Sequence, residues 1–163
     1  MNTDLMFSSA TDKWNTPADL VDDLATVFDW DLDVCANGPN VCQNYYTEAD
    51  NGLEQPWGDL NWCNPPYGRG DSGCGPWLDA GAWAWQWDKK TTVFLVPART
   101  DTKWWQLNAP VASLVVFICG RLKFGDATNS APFPSAFIVF GEINKAQRAK
   151  LASYGWAVEE GKF

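Results

Sequence analysis

Leu60-Asn61-Trp62-Cys63-Asn64-Pro65-Pro66-Tyr67 is the stretch on which the reading of this chain turns. Its first four residues are apolar or short and read as the end of a buried strand. Asn64-Pro65-Pro66-Tyr67 then stops that strand, because neither proline has an N–H to give to a ladder. Two successive prolines fix two φ angles and push the residue before each into extended backbone. The expected product is a rigid turn at a strand's C-terminal edge, where ligands sit in open α/β sheets. Asn64 brings a carboxamide acceptor and Pro65 a carbonyl that no helix uses. Two converging acceptors suit a conjugated, weakly nucleophilic –NH2 group, whose nitrogen gains electron density when both protons are held. Pro66 stiffens the turn, and Tyr67 is expected to offer a ring face for a planar base. A bare Pro-Pro is most often only a tight turn; the apolar strand before it and the flanking Asn and Tyr favour the functional reading.

Upstream, Trp14-Asn15-Thr16-Pro17 opens a helix, with Thr16 as expected N-cap, Pro17 at the first helical position and Asp19 facing the positive helix end. Leu20, Val21, Leu24, Val27 and Phe28 form one apolar stripe at helical spacing. The free N–H groups at such a start suit an anion. Trp30 to Cys35 alternates as a first strand, with Asp33 near its end and a small-residue loop from Ala36 to Asn40. Val41 to Thr47 is expected as a further short strand. In the acidic turn after it, Asp50 is the preferred acceptor for hydroxyl groups and Glu48 the reserve. The plain alternatives are a helix cap, a bland loop and a solvated turn.

Downstream, residues 68–75 hold four glycines in eight positions, a loop able to move beside the turn, with Arg69 placed to meet a phosphate. A helix is expected from Pro76 to about Trp87. Thr91 to Pro97 and Ser113 to Cys119 read as buried strands, with a short helix around Lys103 to Trp105 between them. Arg121 and Lys123 lie two apart, so in extended backbone both point the same way, as a phosphate-contacting pair would. Ser135 to Phe140 is the last expected core strand, followed by a helix from Asn144 to Tyr154 and a short tail. Strands alternating with helices imply an α/β sandwich.

Composition narrows the chemistry. At 163 residues, with 46% apolar and 20% charged positions, the chain fits one globular domain, residues 14–163, preceded by a polar arm over residues 1–13. There is no histidine, which removes Ser-His-Asp and Cys-His catalysis and histidine-ligated metals. The five cysteines are odd in number and match no zinc spacing. No signal peptide or membrane span is evident in the sequence, so a cytoplasmic location is expected, in a host if the source is viral. The net charge is −8, unevenly spread. Residues 1–60 hold twelve Asp and Glu against the single Lys13, whereas residues 61–163 hold eight against eleven Lys and Arg. Such asymmetry suits a nucleic-acid-facing side in the second part.

Taken together, Trp14-Asn15-Thr16-Pro17, Leu32-Asp33-Val34-Cys35-Ala36, Asp50-Asn51-Gly52-Leu53, Asn64-Pro65-Pro66-Tyr67, Gly120-Arg121-Leu122-Lys123-Phe124 and Pro132-Phe133-Pro134-Ser135-Ala136-Phe137 resemble, in order, the small phage-type DNA N6-adenine methyltransferases. The resemblance spans most of residues 14–140. It implies a Rossmann-like methyltransferase sandwich, mostly parallel with one antiparallel strand, and methyl transfer from S-adenosylmethionine to N6 of adenine in DNA. It implies Asn64, Pro65, Pro66 and Tyr67 as the catalytic set, on an adenine flipped from the duplex. The cofactor would lie against Trp14, Thr16, Pro17, Asp33, Cys35, Ala36 and Asp50, with no metal. Arg69, Lys103, Arg121 and Lys123 are the candidate DNA contacts. A role in modifying or protecting viral DNA and a homodimer are further expectations. The same turn also serves enzymes that methylate RNA bases or glutamine side chains, and an inactive DNA-binding module of this fold is the remaining rival.

Overall fold

The computed structural model describes residues 14–125 and 128–160. The arm expected over residues 1–13 lies outside them. In chain order the elements are α1 (Ala18–Leu24), β1 (Leu32–Asp33), β2 (Leu60–Cys63), α2 (Cys74–Asp88), β3 (Thr91–Pro97), α3 (Lys103–Asn108), β4 (Leu114–Ile118), β5 (Ser135–Phe140), α4 (Lys145–Ala152) and β6 (Gly155–Glu159). One six-stranded sheet has the order β1-β2-β3-β5-β4-β6. β1, β2 and β3 pair in parallel, while β5 runs antiparallel to both β3 and β4, and β6 antiparallel to β4. Two strands therefore oppose the other four, where one was expected. The second is β6, a strand in place of the expected tail.

The register explains why the strands read as unbroken apolar runs. Trp62 stands opposite Val93, Val93 opposite Val139, and Leu95 opposite Phe137, so these side chains share one face. Trp62 meets Trp30 and Phe137 there, and Phe137 meets Tyr154. On the other face Phe94 meets Phe140, and α2 lies so close that a Cβ on Gly81 would sit 2.5 Å from the Phe94 ring. With both faces covered, every residue of β3 and β5 is buried, as strands between two helical layers must be. Asp23 of α1 ties that helix to the end of the chain through Lys150 at 2.7 Å and the Tyr154 hydroxyl.

Several boundaries differ from the sequence reading. α1 stops at Leu24, so Val27 and Phe28 follow it in a turn and loop. Pro17, not Thr16, holds the N-cap position, and no side chain caps the helix. β1 covers only two residues, and residues 41–47 do not form a separate strand. Instead Asn44 O accepts from Asp33 N at 3.0 Å, and Tyr46 N donates to Asp33 O at 2.9 Å, which lays this segment beside β1. The capping box of α4, in which Asn144 and Gln147 exchange bonds of 2.8 and 2.9 Å, accounts for the helix start at Lys145.

Candidate functional site

Parallel strands β1 and β2 end at the same edge, and a cleft of about 360 Å3 opens there. That volume is within the roughly 300–1,000 Å3 of small-molecule sites. Its wall brings together Trp14, Thr16, Asp33, Cys35, Ala36, Asn64, Pro65 and Pro66, all singled out from the sequence. Asn15, Asn37, Asn40, Glu48 and Trp77 line it as well.

Asn64 sits at the start of the turn with every amide atom engaged. Its Nδ2 donates to the Trp14 carbonyl at 2.5 Å and to Thr16 Oγ1 at 3.1 Å. A backbone carbonyl can only accept, so the amide orientation is fixed and Oδ1 faces the other way. Oδ1 accepts from the Tyr67 hydroxyl at 2.5 Å and keeps a second lone pair. The segment 14–16 is thus a strap on the Asn64 amide, and the Thr16 hydroxyl serves it rather than α1. The neighbouring Asn61 has a different task. It is fully buried, with its amide bonded to Gly58 and Thr91 within the sheet.

Tyr67 departs from the reading of it as an open stacking face. It is only 2% exposed. Phe124 and Phe133 pack nearly perpendicular to its ring, with ring centres 6.1 and 5.5 Å away, and Trp14 meets the same two rings. The Tyr67 hydroxyl reaches Leu95 O at 3.1 Å as well as Asn64, so one proton is shared between two acceptors. Burial pushes the Tyr67 phenol well above its ordinary range. In this conformation the ring braces the turn from beneath and presents no free face to a base. Arg99 completes the brace by donating from Nη1 to the Tyr67 carbonyl at 2.9 Å.

Two of the residues expected against the cofactor fall elsewhere. Pro17 lines a separate cleft of about 290 Å3 with Asp19, Leu20, Arg121, Leu122, Lys123 and Tyr154. Asp50 does not reach the main cleft; its carboxylate accepts from Thr47 N at 2.8 Å and Thr47 Oγ1 at 3.0 Å and closes its own turn. Those bonds hold its carboxyl below the usual range. Glu48, the reserve, lies on the cleft wall together with Asp33 and Asp71. The glycine loop also behaves differently from a free flap. It is pinned by a bridge between Gly68 and Gly73 and places Asp71 and Ser72 on the cleft.

Asp33 is 4% exposed, and its carboxylate accepts from Cys35 N at 3.2 Å. Burial raises its pKa to about 7. Because the folded value lies above the unfolded one, the folded chain binds the extra proton between about pH 4 and 7. Stability from this group is therefore present in acid and declines as pH rises through 7. Asp33→Asn is expected to gain stability over the parent chain above pH 7, by up to a few kcal/mol, and little below pH 4. Thermal melts of both proteins between pH 4 and 8 read this directly; a constant difference across that range contradicts it.

The candidate DNA contacts are all exposed. Arg69 is in the glycine loop and Lys103 is the first residue of α3. Arg121 and Lys123 share the smaller cleft, as two-residue spacing requires, and Arg121 also reaches the Ala131 carbonyl at 3.4 Å. Among the described residues no cluster of three potential metal ligands occurs, and no helix is long and apolar enough to cross a membrane.

A family model described as DNA N-6-adenine-methyltransferase (Dam) matches residues 5–154. A search of curated proteins gave no match.

Proposed function

The chain belongs to the DNA N-6-adenine-methyltransferase (Dam) family, and from that premise we propose that it moves a methyl group from S-adenosylmethionine to N6 of adenine in duplex DNA. The observation that carries this reading is the cleft whose wall runs from the Trp14–Thr16 strap to Asn64, Pro65 and Pro66. Its chemistry fits S-adenosylmethionine. Asp33 and Glu48 can accept from hydroxyl or ammonium groups, the asparagine amides can donate to a carboxylate, and Trp77 offers an aromatic wall. The Gly52 backbone borders the cleft closely, and any side chain there would be obstructed. S-adenosylmethionine supplies an activated methyl on a sulfonium.

The rest of the reaction belongs to the turn. Asn64 Oδ1 and the Pro65 carbonyl each accept one proton of the target –NH2. This holds the nitrogen lone pair toward the cleft and raises its nucleophilicity. S-adenosylmethionine held in the cleft would supply the methyl, its S–CH3 bond giving way to N–CH3, and the nitrogen, cationic after attack, would release a proton to water. A buried residue of high basicity is not required. Catalysis rests on alignment, where effective molarity contributes up to ~7–11 kcal/mol. The strap at Trp14 and Thr16 sets the amide, Pro66 stiffens the backbone, and Tyr67 supports it from below. An adenine within a duplex must be flipped out to reach this edge. Arg69, Lys103, Arg121 and Lys123 supply positive charge for the phosphates in a chain of net charge −8. The expected fold context is a Rossmann-like sandwich, and modifying or protecting viral DNA is the role that goes with this reading.

Labelled S-adenosylmethionine and unmethylated duplex DNA test the reading. N6-methyladenine in the digested product is the expected result. Label found only in RNA, or in protein glutamine, overturns it. The placement of the cofactor has its own test by calorimetric titration. Glu48→Gln is expected to weaken S-adenosylmethionine binding about tenfold, the scale of one bond to a charged group, while Asp50→Asn leaves it within about twofold. The reverse ranking would return Asp50 to the site.

A further inference from the structure

We propose that Arg99 is a positioning residue for methyl transfer, setting the catalytic turn from the β3 side; this rests on the reading given under Proposed function. β2 and β3 are parallel neighbours, so Asn64–Tyr67 and residues 98–102 leave the sheet at the same edge. The turn is joined at two points, to β3 and to the segment that follows it. The Tyr67 hydroxyl reaches Leu95 O at 3.1 Å, and the Tyr67 carbonyl accepts from Arg99 Nη1 at 2.9 Å. Arg99 is itself well anchored. Its N–H donates to Pro97 O at 2.8 Å, and its carbonyl accepts from Thr102 N at 3.1 Å and Thr102 Oγ1 at 2.7 Å. Its guanidinium lies 5.8 Å from the Phe133 ring centre, and Phe133 is one of the two rings edged against Tyr67.

One planar cation therefore holds the main chain of the turn and one ring that braces it. Arginine suits both tasks, since it donates from a fixed fork while stacking on an aromatic face; lysine can donate but cannot stack. Freed from Arg99, the Tyr67 carbonyl loses the bond that holds it among the described residues, and the Asn64 and Pro65 acceptors lose a fixed distance to the cleft. A shift near 1 Å at a reacting centre costs on the order of 100-fold in rate.

The experiment compares parent, Arg99→Ala, Arg99→Gln and Arg99→Lys in single-turnover methyl transfer to duplex DNA. S-adenosylmethionine affinity, KM for DNA at several salt concentrations and Tm are measured in parallel. Arg99→Ala is expected to lose about 10- to 100-fold in the transfer rate, with cofactor affinity within about twofold and an unchanged salt slope. Arg99→Lys should recover part of the rate. If Arg99→Ala does not fold, Arg99→Gln, which can still donate but neither stacks nor carries charge, is expected below Arg99→Lys. An unaltered transfer rate overturns the proposal. So does a loss confined to KM with the salt slope reduced by about one, which marks a phosphate contact instead. A fall in Tm alone, with transfer intact, reduces Arg99 to a structural role. A parent protein that binds S-adenosylmethionine yet methylates no DNA overturns the functional reading, and this inference falls with it.

Discussion

Asn64→Ala is expected to lower methyl transfer by roughly 10²–10³-fold, the cost of removing one preorganised polar group from a reacting centre, while S-adenosylmethionine still binds. The truncation removes Oδ1, the acceptor proposed for the target nitrogen, and the two N–H donors that hold the strap at Trp14 and Thr16. Asn64→Asp sharpens the point. A carboxylate keeps the acceptor but cannot donate to the Trp14 carbonyl, so two oxygens would oppose each other at 2.5 Å. It is expected to lose most of the activity although it is nearly isosteric. Single-turnover transfer and cofactor titration on the three proteins give the answer. Near-normal turnover in Asn64→Ala would remove this residue from the mechanism.

The second large effect is expected at Gly52. A Cβ there would lie 2.1 Å from the Val34 carbonyl and 3.2 Å from the Trp77 ring. The first of these is backbone and cannot turn aside, so the segment itself must move. Asn51 before it already holds a left-handed φ of 52°, which leaves little freedom to absorb the shift. Gly52→Ala is expected to cost ~1–3 kcal/mol through overpacking, or about 2–4 °C in Tm per kcal/mol for a chain of this size. Because Val34 ends beside the cleft and both Gly52 and Trp77 line it, cofactor affinity should fall with stability. A variant with parental Tm and affinity would show that the close approach has no consequence.

The lining of the candidate cleft was largely legible in the sequence because its parts are local. Asn64-Pro65-Pro66 declares its own geometry, since proline fixes φ wherever it stands. Asp33, Cys35 and Ala36 follow from a strand's end, and α2, β3 and β5 from apolar runs of the right length. What was not legible depends on contacts between distant segments. Nothing around Tyr67 signals that Phe124 and Phe133 close over it. Thr16 has the form of an N-cap, yet its hydroxyl meets an amide from β2's turn. Asp50 and Glu48 are alike in sequence. Two bonds from Thr47 close a turn around Asp50, a habit of aspartate in turns. Arg99 reads as any polar residue after a strand. β6 is short and carries Gly155 and an exposed Trp156, so alternation gave it no mark. Asn15, Asn37 and Trp77 reach the cleft by chain geometry alone.

The measurement that bears most directly on the account is transfer of labelled methyl to two synthetic duplexes, one ordinary and one with purine replacing every adenine. Purine keeps the ring and lacks the exocyclic –NH2 that Asn64 and Pro65 are held to grip. The account requires label at N6 in the ordinary duplex and none in the purine duplex. Comparable label in both, or label at another atom of the base, would contradict it.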